Sequence, residues 1–277
     1  MASETNVESS IPPLAFVIGP LRTGSSLMSR CLDDHPSMIC LCESEINRAL
    51  FGDLAVEHHS NRMAAHGLSL NNVIRLLDRK RQGDVKSLFD WYGQVFPMLR
   101  HRLEKPGATL LGDKSPDYSR CPEIVEAFAR QHRLIYTVRD PRAIFASIEV
   151  QDDATPQAKA ERWEFLIQNY AAWKPHLDSP NVLVVRYEDL VTSPIPTMSG
   201  VYRHLCLPES TRFLEPFRRV HPGRFLWPTA VDFATGISRD FDPSRLSSWK
   251  SKLDAGQLDR IQKEPIIAEF MDRFGYE

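Results

Sequence analysis

Five short apolar runs punctuate the chain: Leu14–Ile18, Met38–Leu41, Thr109–Leu111, Arg133–Val138 and Asn181–Val185. Each has the length of a strand and gives way to a polar or turn-forming cluster, which predicts buried β-strands. Between them, apolar positions recur at helical spacing. Leu27, Met28, Cys31 and Leu32 predict a helix over 25–33, and further helices are predicted over 45–54, 67–103, 122–131, 144–150, 156–176 and 255–274. Within 67–103, Leu68, Leu76 and Leu77 form one stripe, and Leu88, Trp91, Val95, Leu99 and Leu103 another. Such stripes read as core-covering faces. Strands that alternate with helices predict an α/β fold, a central parallel sheet with helices on both faces. With no internal repeat or linker, one domain over 14–277 is expected. A polar tail, 1–13, precedes it, expected to be disordered and ending in Pro12-Pro13.

Bulk properties narrow the class without choosing a function. A net charge of −2 over 277 residues gives no general attraction to nucleic acid or an anionic membrane, so any anion site must be local. Neither nucleic acid nor membrane is an expected partner. The five cysteines (Cys31, Cys40, Cys42, Cys121 and Cys206) lack disulfide-framework or zinc-site spacing and read as free thiols in a reducing compartment. The first residues show neither a basic n-region nor an apolar h-region, and no apolar stretch reaches membrane-spanning length. A cytoplasmic protein is expected.

The first strand runs straight into Gly19-Pro20-Leu21-Arg22-Thr23-Gly24-Ser25-Ser26-Leu27. The two glycines have the spacing of the phosphate loop G-x-x-x-x-G-K-[ST], but Ser25 stands where that motif has its lysine. A strand, a glycine-rich turn and a helix aim backbone N–H groups and the helix dipole at one point. Arg22 adds a planar donor fork suited to a tetrahedral oxyanion. Taken alone, the same residues also suit an ordinary strand–turn–helix connection with a serine cap.

Position supplies what the loop lacks. Arg22, Lys114, Arg139 and Tyr187 all fall at or just beyond the carboxyl end of a predicted strand. In an open parallel sheet, ligands bind outside those ends, so separate segments bring cations to one crevice and predict a polyanionic ligand.

Several motifs, in order from about residue 14 to 255, carry a family resemblance. Arg22-Thr23-Gly24-Ser25-Ser26-Leu27, followed by His35-Pro36 and Glu43, resembles the 5′-phosphosulfate loop of sulfotransferases that use 3′-phosphoadenosine 5′-phosphosulfate (PAPS). The nearest pattern is the tyrosylprotein type, with R-S-G-T-T-L, then H-P and an acidic pair. Arg139-Asp140-Pro141-Arg142 with Ser147 is similar to the family's 3′-phosphate motif. Gly112-Asp113-Lys114-Ser115-Pro116 resembles its K-x-P segment, and Arg186-Tyr187-Glu188-Asp189-Leu190 its (R/H)-Y-E-x-L strand end. Ser247-Ser248-Trp249-Lys250-Ser251-Lys252-Leu253 resembles its late W-x-x-K segment.

The resemblance implies a P-loop-like sulfotransferase fold, PAPS as co-substrate, PAP as product, and no metal. It implies that Arg22 and the backbone of Thr23, Gly24, Ser25, Ser26 and Leu27 hold the 5′-phosphate that departs. Lys114 would contact the bridging or sulfuryl oxygens, and Glu43, 21 residues after Arg22, would be the base, with Glu45 as the fallback. Other branches use a histidine, and His58, His59 and His66 follow this segment. Arg139 and Ser147 would grip the 3′-phosphate, with Arg142 beside them. Tyr187 and Lys252 would complete the nucleotide site, and Ser238 would touch the reacting sulfuryl group.

The departures bear on the acceptor. Gln151 and Glu45 stand where tyrosylprotein relatives carry arginines that help seat acidic peptides, and Glu43, Glu45, Asp53 and Glu57 leave the acceptor side acidic. A neutral or cationic small molecule, such as a secondary metabolite, is therefore expected, sulfated on a hydroxyl or an amine. Loops around 51–66 and 225–237 would shape its site. Transfer to protein tyrosine or to carbohydrate is the alternative. A P-loop kinase or a non-catalytic nucleotide-binding module is the more distant one, and a homodimer is allowed for.

Overall fold

The computed structural model describes residues 13–44, 46, 85–150, 155–215 and 241–277. Five strands, β1 (Leu14–Ile18), β2 (Met38–Cys42), β3 (Leu110–Lys114), β4 (Arg133–Val138) and β5 (Val182–Arg186), form one sheet in the order β2-β3-β1-β4-β5. Every pairing is parallel. The α-helices that lie within the described residues are α1 (Ser25–Asp33), α2 (Val85–Arg102), α3 (Pro122–Gln131), α4 (Pro141–Glu149), α5 (Pro156–Trp173), α6 (Tyr187–Thr192), α7 (Pro194–His204), α8 (Ala255–Lys263) and α9 (Pro265–Phe274).

Strand alternation divides the core. Leu14, Phe16 and Ile18 face one layer with Leu111, Leu134 and Tyr136, covered by Trp91 and Leu99 of α2, Phe128 of α3, Ile144 of α4, Leu166 of α5 and Phe270 of α9. Ala15 and Val17 face the other with Cys40 and Ile135, covered by Met28 and Leu32 of α1, Leu190 of α6 and Val201 of α7. A parallel sheet buried on both faces needs strands apolar throughout, and β1 and β2 are buried at all five positions.

The expected α/β architecture holds, with local differences. The run Thr109–Leu111 understates β3, which continues through Gly112, Asp113 and Lys114 because these stay paired to Ala15–Val17 on one side and Cys40–Cys42 on the other. Gly112 fits there because a Cβ would lie 2.6 Å from Met38 Cε. β5 is shifted one residue later than expected, and α4 starts at Pro141, not Ile144, capped by the Asp140 side chain on Arg142 N. The helix expected over 156–176 turns to a 3₁₀ segment at Lys174–His176. The last expected helix is two, because Pro265 forces Glu264 into an extended conformation (φ −75°, ψ 112°).

All five cysteines are free, and Cys31, Cys40 and Cys42 are buried. Among the described residues no helix is long and apolar enough to cross a membrane. The expected tail up to residue 12, most of the 45–54 helix and the 67–84 part of the next lie outside the described residues.

Candidate active site

The register brings the carboxyl ends of the strands to one edge. Lys114 pairs with both Val17 and Cys42, Ile18 with Tyr136, and Val138 with Arg186. The residues that follow, namely the loop after Ile18, Glu43, Arg139 and Tyr187, therefore emerge together.

The loop is held from beneath. Thr23 Oγ1 donates to the Pro20 carbonyl at 2.8 Å and lies 2.7 Å from Thr137 Oγ1 at the end of β4. Arg22 has φ 67° and Gly24 φ 82°, so the chain turns sharply before α1 begins at Ser25. Gly24 packs beneath Tyr187, leaving no room for a side chain there: a Cβ would meet Tyr187 Cδ2 at 2.4 Å. Ser25 is buried, with Ser26 and Leu27 half-buried beside it at the N-terminus of α1.

Beside the loop lies a cavity of about 300 Å³ lined by Arg22, Arg139, Ser147, Tyr187, Arg245, Ser248 and Lys252, together with Ala143 and Val150. Arg22 Nε donates to Ser147 Oγ at 2.9 Å, and Arg139 Nη1 donates to the Arg22 carbonyl at 3.2 Å. The Arg139 guanidinium sits 4.4 Å from the centre of the Tyr187 ring, a stacked cation–π arrangement. The Arg139 Nε is buried without a hydrogen-bond partner among the described residues. Withdrawal from water, then the like charges of Arg139, Arg162 and Arg245, lower the Arg22 pKa. Cations crowded against one another, with a buried donor unmet, make a site that gains from an anion.

Arg142 does not join this cavity. It is held by the Asp140 carboxylate at 2.9 Å and lies 4.3 Å from the centre of the Trp249 ring. That stack fastens the segment carrying Lys252 to α4. Arg245 was missed by sequence reasoning, and Ser248 was quoted within the W-x-x-K segment without a role. A cation shortly before that segment was the available signal.

The second feature lies at the ends of β2 and β3. Lys114 is 3 % exposed, and its ammonium contacts the Glu43 carboxylate in an ion pair. The Glu43 backbone N–H donates to the Lys114 carbonyl at 2.6 Å. Burial opposes the charged ammonium, but Glu43, Cys42 and Asp113 outweigh it, so the Lys114 pKa is raised. The Glu43 charge also reaches Arg22, placing the pair within electrostatic range of the loop.

Beneath the pair is a group that the sequence reading quoted without a role. Asp113 is fully buried and accepts from the Ser44 hydroxyl, from Ser44 N at 3.3 Å, and from the hydroxyls of Tyr92 at 2.7 Å and Tyr118 at 2.6 Å. Burial raises its pKa against the pull of these hydrogen bonds. Sequence alone does not reveal that Tyr92, from α2, and Tyr118, from the turn after β3, meet at one carboxylate.

The structure thus brings together Arg22, Thr23, Gly24, Ser25, Ser26, Leu27, Arg139, Ser147, Tyr187 and Lys252 around the loop and cavity, with Glu43 and Lys114 beside them. Ser238, Glu45, Asp53, Glu57, His58, His59, His66, Gln151 and the two expected acceptor loops lie outside the described residues.

A model of the sulfotransferase family matches residues 13–211. The chain belongs to the sulfotransferase family. Among solved structures, this sulfotransferase is similar to the sulfotransferase domain of the Synechococcus PCC 7002 olefin synthase (TM-score 0.67, 21 % identity, covering 96 % of this chain and 95 % of that one). It is also similar to the sulfotransferase domain from the curacin biosynthetic pathway (TM-score 0.64, 21 % identity, 96 % and 98 % covered). A third likeness is to sulfotransferase STF9 from Mycobacterium avium (TM-score 0.54, 15 % identity, 97 % and 78 % covered). At such identities the likeness concerns the fold. A search of curated proteins returned no match.

Proposed function

We propose that this sulfotransferase moves the sulfuryl group of PAPS to a hydroxyl, or an amine, of a small-molecule acceptor. The observation that carries the donor is the cavity where Arg22, Arg139, Arg245 and Lys252 converge beside the loop before α1. PAPS carries a 3′-phosphate and a 5′-phosphosulfate, and the sites are adjacent and suited to them. Arg139, Ser147, Lys252 and Arg245 suit the 3′-phosphate. The loop N–H groups of Thr23 to Leu27 suit the 5′-phosphate, with Arg22 between the two sites. A γ-phosphate-handling kinase is disfavoured because Ser25 replaces the loop lysine and the buried lysine sits instead on β3, paired with an acid.

In this reading the acceptor oxygen forms a bond to sulfur as the bond between sulfur and the 5′-phosphate oxygen breaks. PAP leaves with that electron pair. Glu43 takes the acceptor's proton, and Lys114 neutralises charge on the sulfuryl and bridging oxygens. The Glu43–Lys114 pair holds both groups at the strand ends, and an anionic donor gives the ammonium a second partner and frees the carboxylate to act as base.

The likeness to domains of an olefin synthase and a curacin pathway supports a metabolite over a protein or carbohydrate acceptor, as do the acidic residues Glu43, Glu45, Asp53 and Glu57 that the sequence puts on the expected acceptor side. A cytoplasmic setting and independence from metal accompany the proposal. Incubation of a metabolite extract with radiosulfur-labelled PAPS, in parallel with terminally labelled ATP, tests it. Label should enter a small molecule from PAPS alone. Label from ATP with none from PAPS would overturn the reading.

A further inference from the structure

Glu43 occupies a backbone conformation that its residue type avoids, with φ 56°. A non-glycine residue persists there only where its surroundings over-determine it. Here the constraint comes from both sides. The Glu43 N–H is bonded to the Lys114 carbonyl, and the next residue, Ser44, gives both its N–H and its hydroxyl to Asp113. Consecutive residues leaving β2 are therefore tied to consecutive residues ending β3.

Asp113 is tied in turn. Tyr92 and Tyr118 each donate to the carboxylate oxygen that takes the Ser44 hydroxyl, and their own oxygens lie 2.6 Å apart. Each hydroxyl carries one proton, and a carboxylate offers only acceptors, so one buried oxygen orients three donors. Asp113 and Lys114 are neighbours on a strand and point to opposite faces. The carboxylate works from the core face, fully buried against Tyr92 and Tyr118, while Lys114 faces the site.

We propose that Asp113 is a positioning residue. By clamping Ser44 it holds Glu43 in the left-handed conformation that presents its carboxylate to Lys114 and to the acceptor. The inference rests on Glu43 as the base and deepens that assignment.

The test uses the full chain, with turnover read as label passed from PAPS into the metabolite extract. Ser44→Ala removes the hydroxyl tie, and with it the 3.5 Å contact from Ile46 N, but leaves Asp113 with Ser44 N and both tyrosines, so the carboxylate stays satisfied. Asp113→Asn exchanges one of the two acceptor oxygens for a donor NH2, so it cannot take the Ser44 N–H on one side and the three hydroxyls on the other. Both variants should lower kcat by up to about a hundredfold, the scale of misplacing a catalytic group by an ångström. KM for PAPS and the affinity for PAP should stay within about twofold, since neither variant touches the cavity; larger movement in both would overturn the assignment.

The decisive arm repeats Ser44→Ala in a Glu43→Gln background. A residue that acts through Glu43 should then cost less than about twofold of the remaining turnover, because coupled residues are not additive. Wild-type turnover in Ser44→Ala, or an equal fold-loss in both backgrounds, would overturn the positioning role. If Glu43→Gln itself keeps full turnover, the assignment of the base fails instead. If Asp113→Asn does not fold, Ser44→Ala carries the test alone.

Discussion

Glu43 is bound to Lys114 twice: its backbone N–H reaches the Lys114 carbonyl at 2.6 Å, and its carboxylate meets the Lys114 ammonium. The double tie joins the ends of β2 and β3, so the acid and the cation are placed by the sheet rather than by a loop. A buried ammonium costs much unless paired, and the pair raises the Lys114 pKa despite its burial. A lysine so raised contributes stability that is present below its unfolded pKa and lost only as pH rises through the higher folded one. Lys114 therefore stays charged over neutral and mildly alkaline pH and should not shape the pH–rate profile there. Lys114→Ala should lower kcat by about a hundredfold or more, as for loss of one charge-stabilising donor. PAP affinity, measured by calorimetry, should stay within a few-fold.

The cation cavity makes a prediction about discrimination. PAP and AMP differ by the 3′-phosphate alone, so their affinity ratio reports the Arg139–Ser147 side of the site. Arg139 is stacked on Tyr187 and bonded to the Arg22 carbonyl, a geometry that a lysine cannot reproduce. Arg139→Lys should weaken PAP about 10- to 100-fold, as for hydrogen bonds to charged groups, with AMP little changed. Arg245→Ala should shrink the ratio in the same direction by less, since Arg245 is exposed. A ratio unchanged in both variants would remove the 3′-phosphate from this cavity.

The strands were legible because a doubly covered parallel sheet needs uninterrupted apolar runs, and Leu14–Ile18 and Arg133–Val138 have the expected bounds. The end of β3 was not, because Gly112-Asp113-Lys114 has the composition of a turn and is kept in the sheet by partners on both sides. The cations at strand ends were visible as a pattern, since a parallel sheet turns sequence position into spatial position. The Asp113 cluster was invisible for the opposite reason. Ser44, Tyr92 and the Asp113–Tyr118 stretch come from three separate segments, and no local pattern announces that they meet.

Gly24 is the point where loop and cavity touch. Its φ of 82° suits glycine, and an added Cβ would strike the Tyr187 ring at 2.4 Å. Gly24→Ala should cost about 1–2 kcal/mol for the left-handed backbone alone. Because Tyr187 carries the stacked Arg139, displacing the ring should also weaken PAP. Gly107→Ala is the control, since nothing lies within 4 Å of its added Cβ. Thermal melts and PAP titrations of the two variants should differ in both readouts, and matching behaviour would show that the ring yields without consequence.

Asp34, at the C-terminus of α1, makes a prediction about pH. Its carboxylate is buried, neither oxygen accepts a hydrogen bond among the described residues, and Arg30 Nε stands 3.9 Å away. Burial pushes its pKa up to about 7, with Asp33 adding to the rise and Arg30, Lys105 and Arg212 opposing it. An unfolded aspartate titrates near 3.9, so between about pH 4 and 7 the folded state holds a proton that the unfolded chain has released. Stability must then fall as pH rises through that window, by at most about 1.4 kcal/mol per unit, and level off above it. His132, which burial pushes down to about 4, has the opposite sign, its contribution growing as pH rises from about 4 to 6.5. The two are separated by comparing the protein with Asp34→Asn, in which only the aspartate's contribution is gone. Urea melts should show the variant more stable by roughly 2–4 kcal/mol at pH 8, with the gap closing towards pH 4. A gap that does not change with pH would mean that Asp34 is ionised throughout and is satisfied by Arg30.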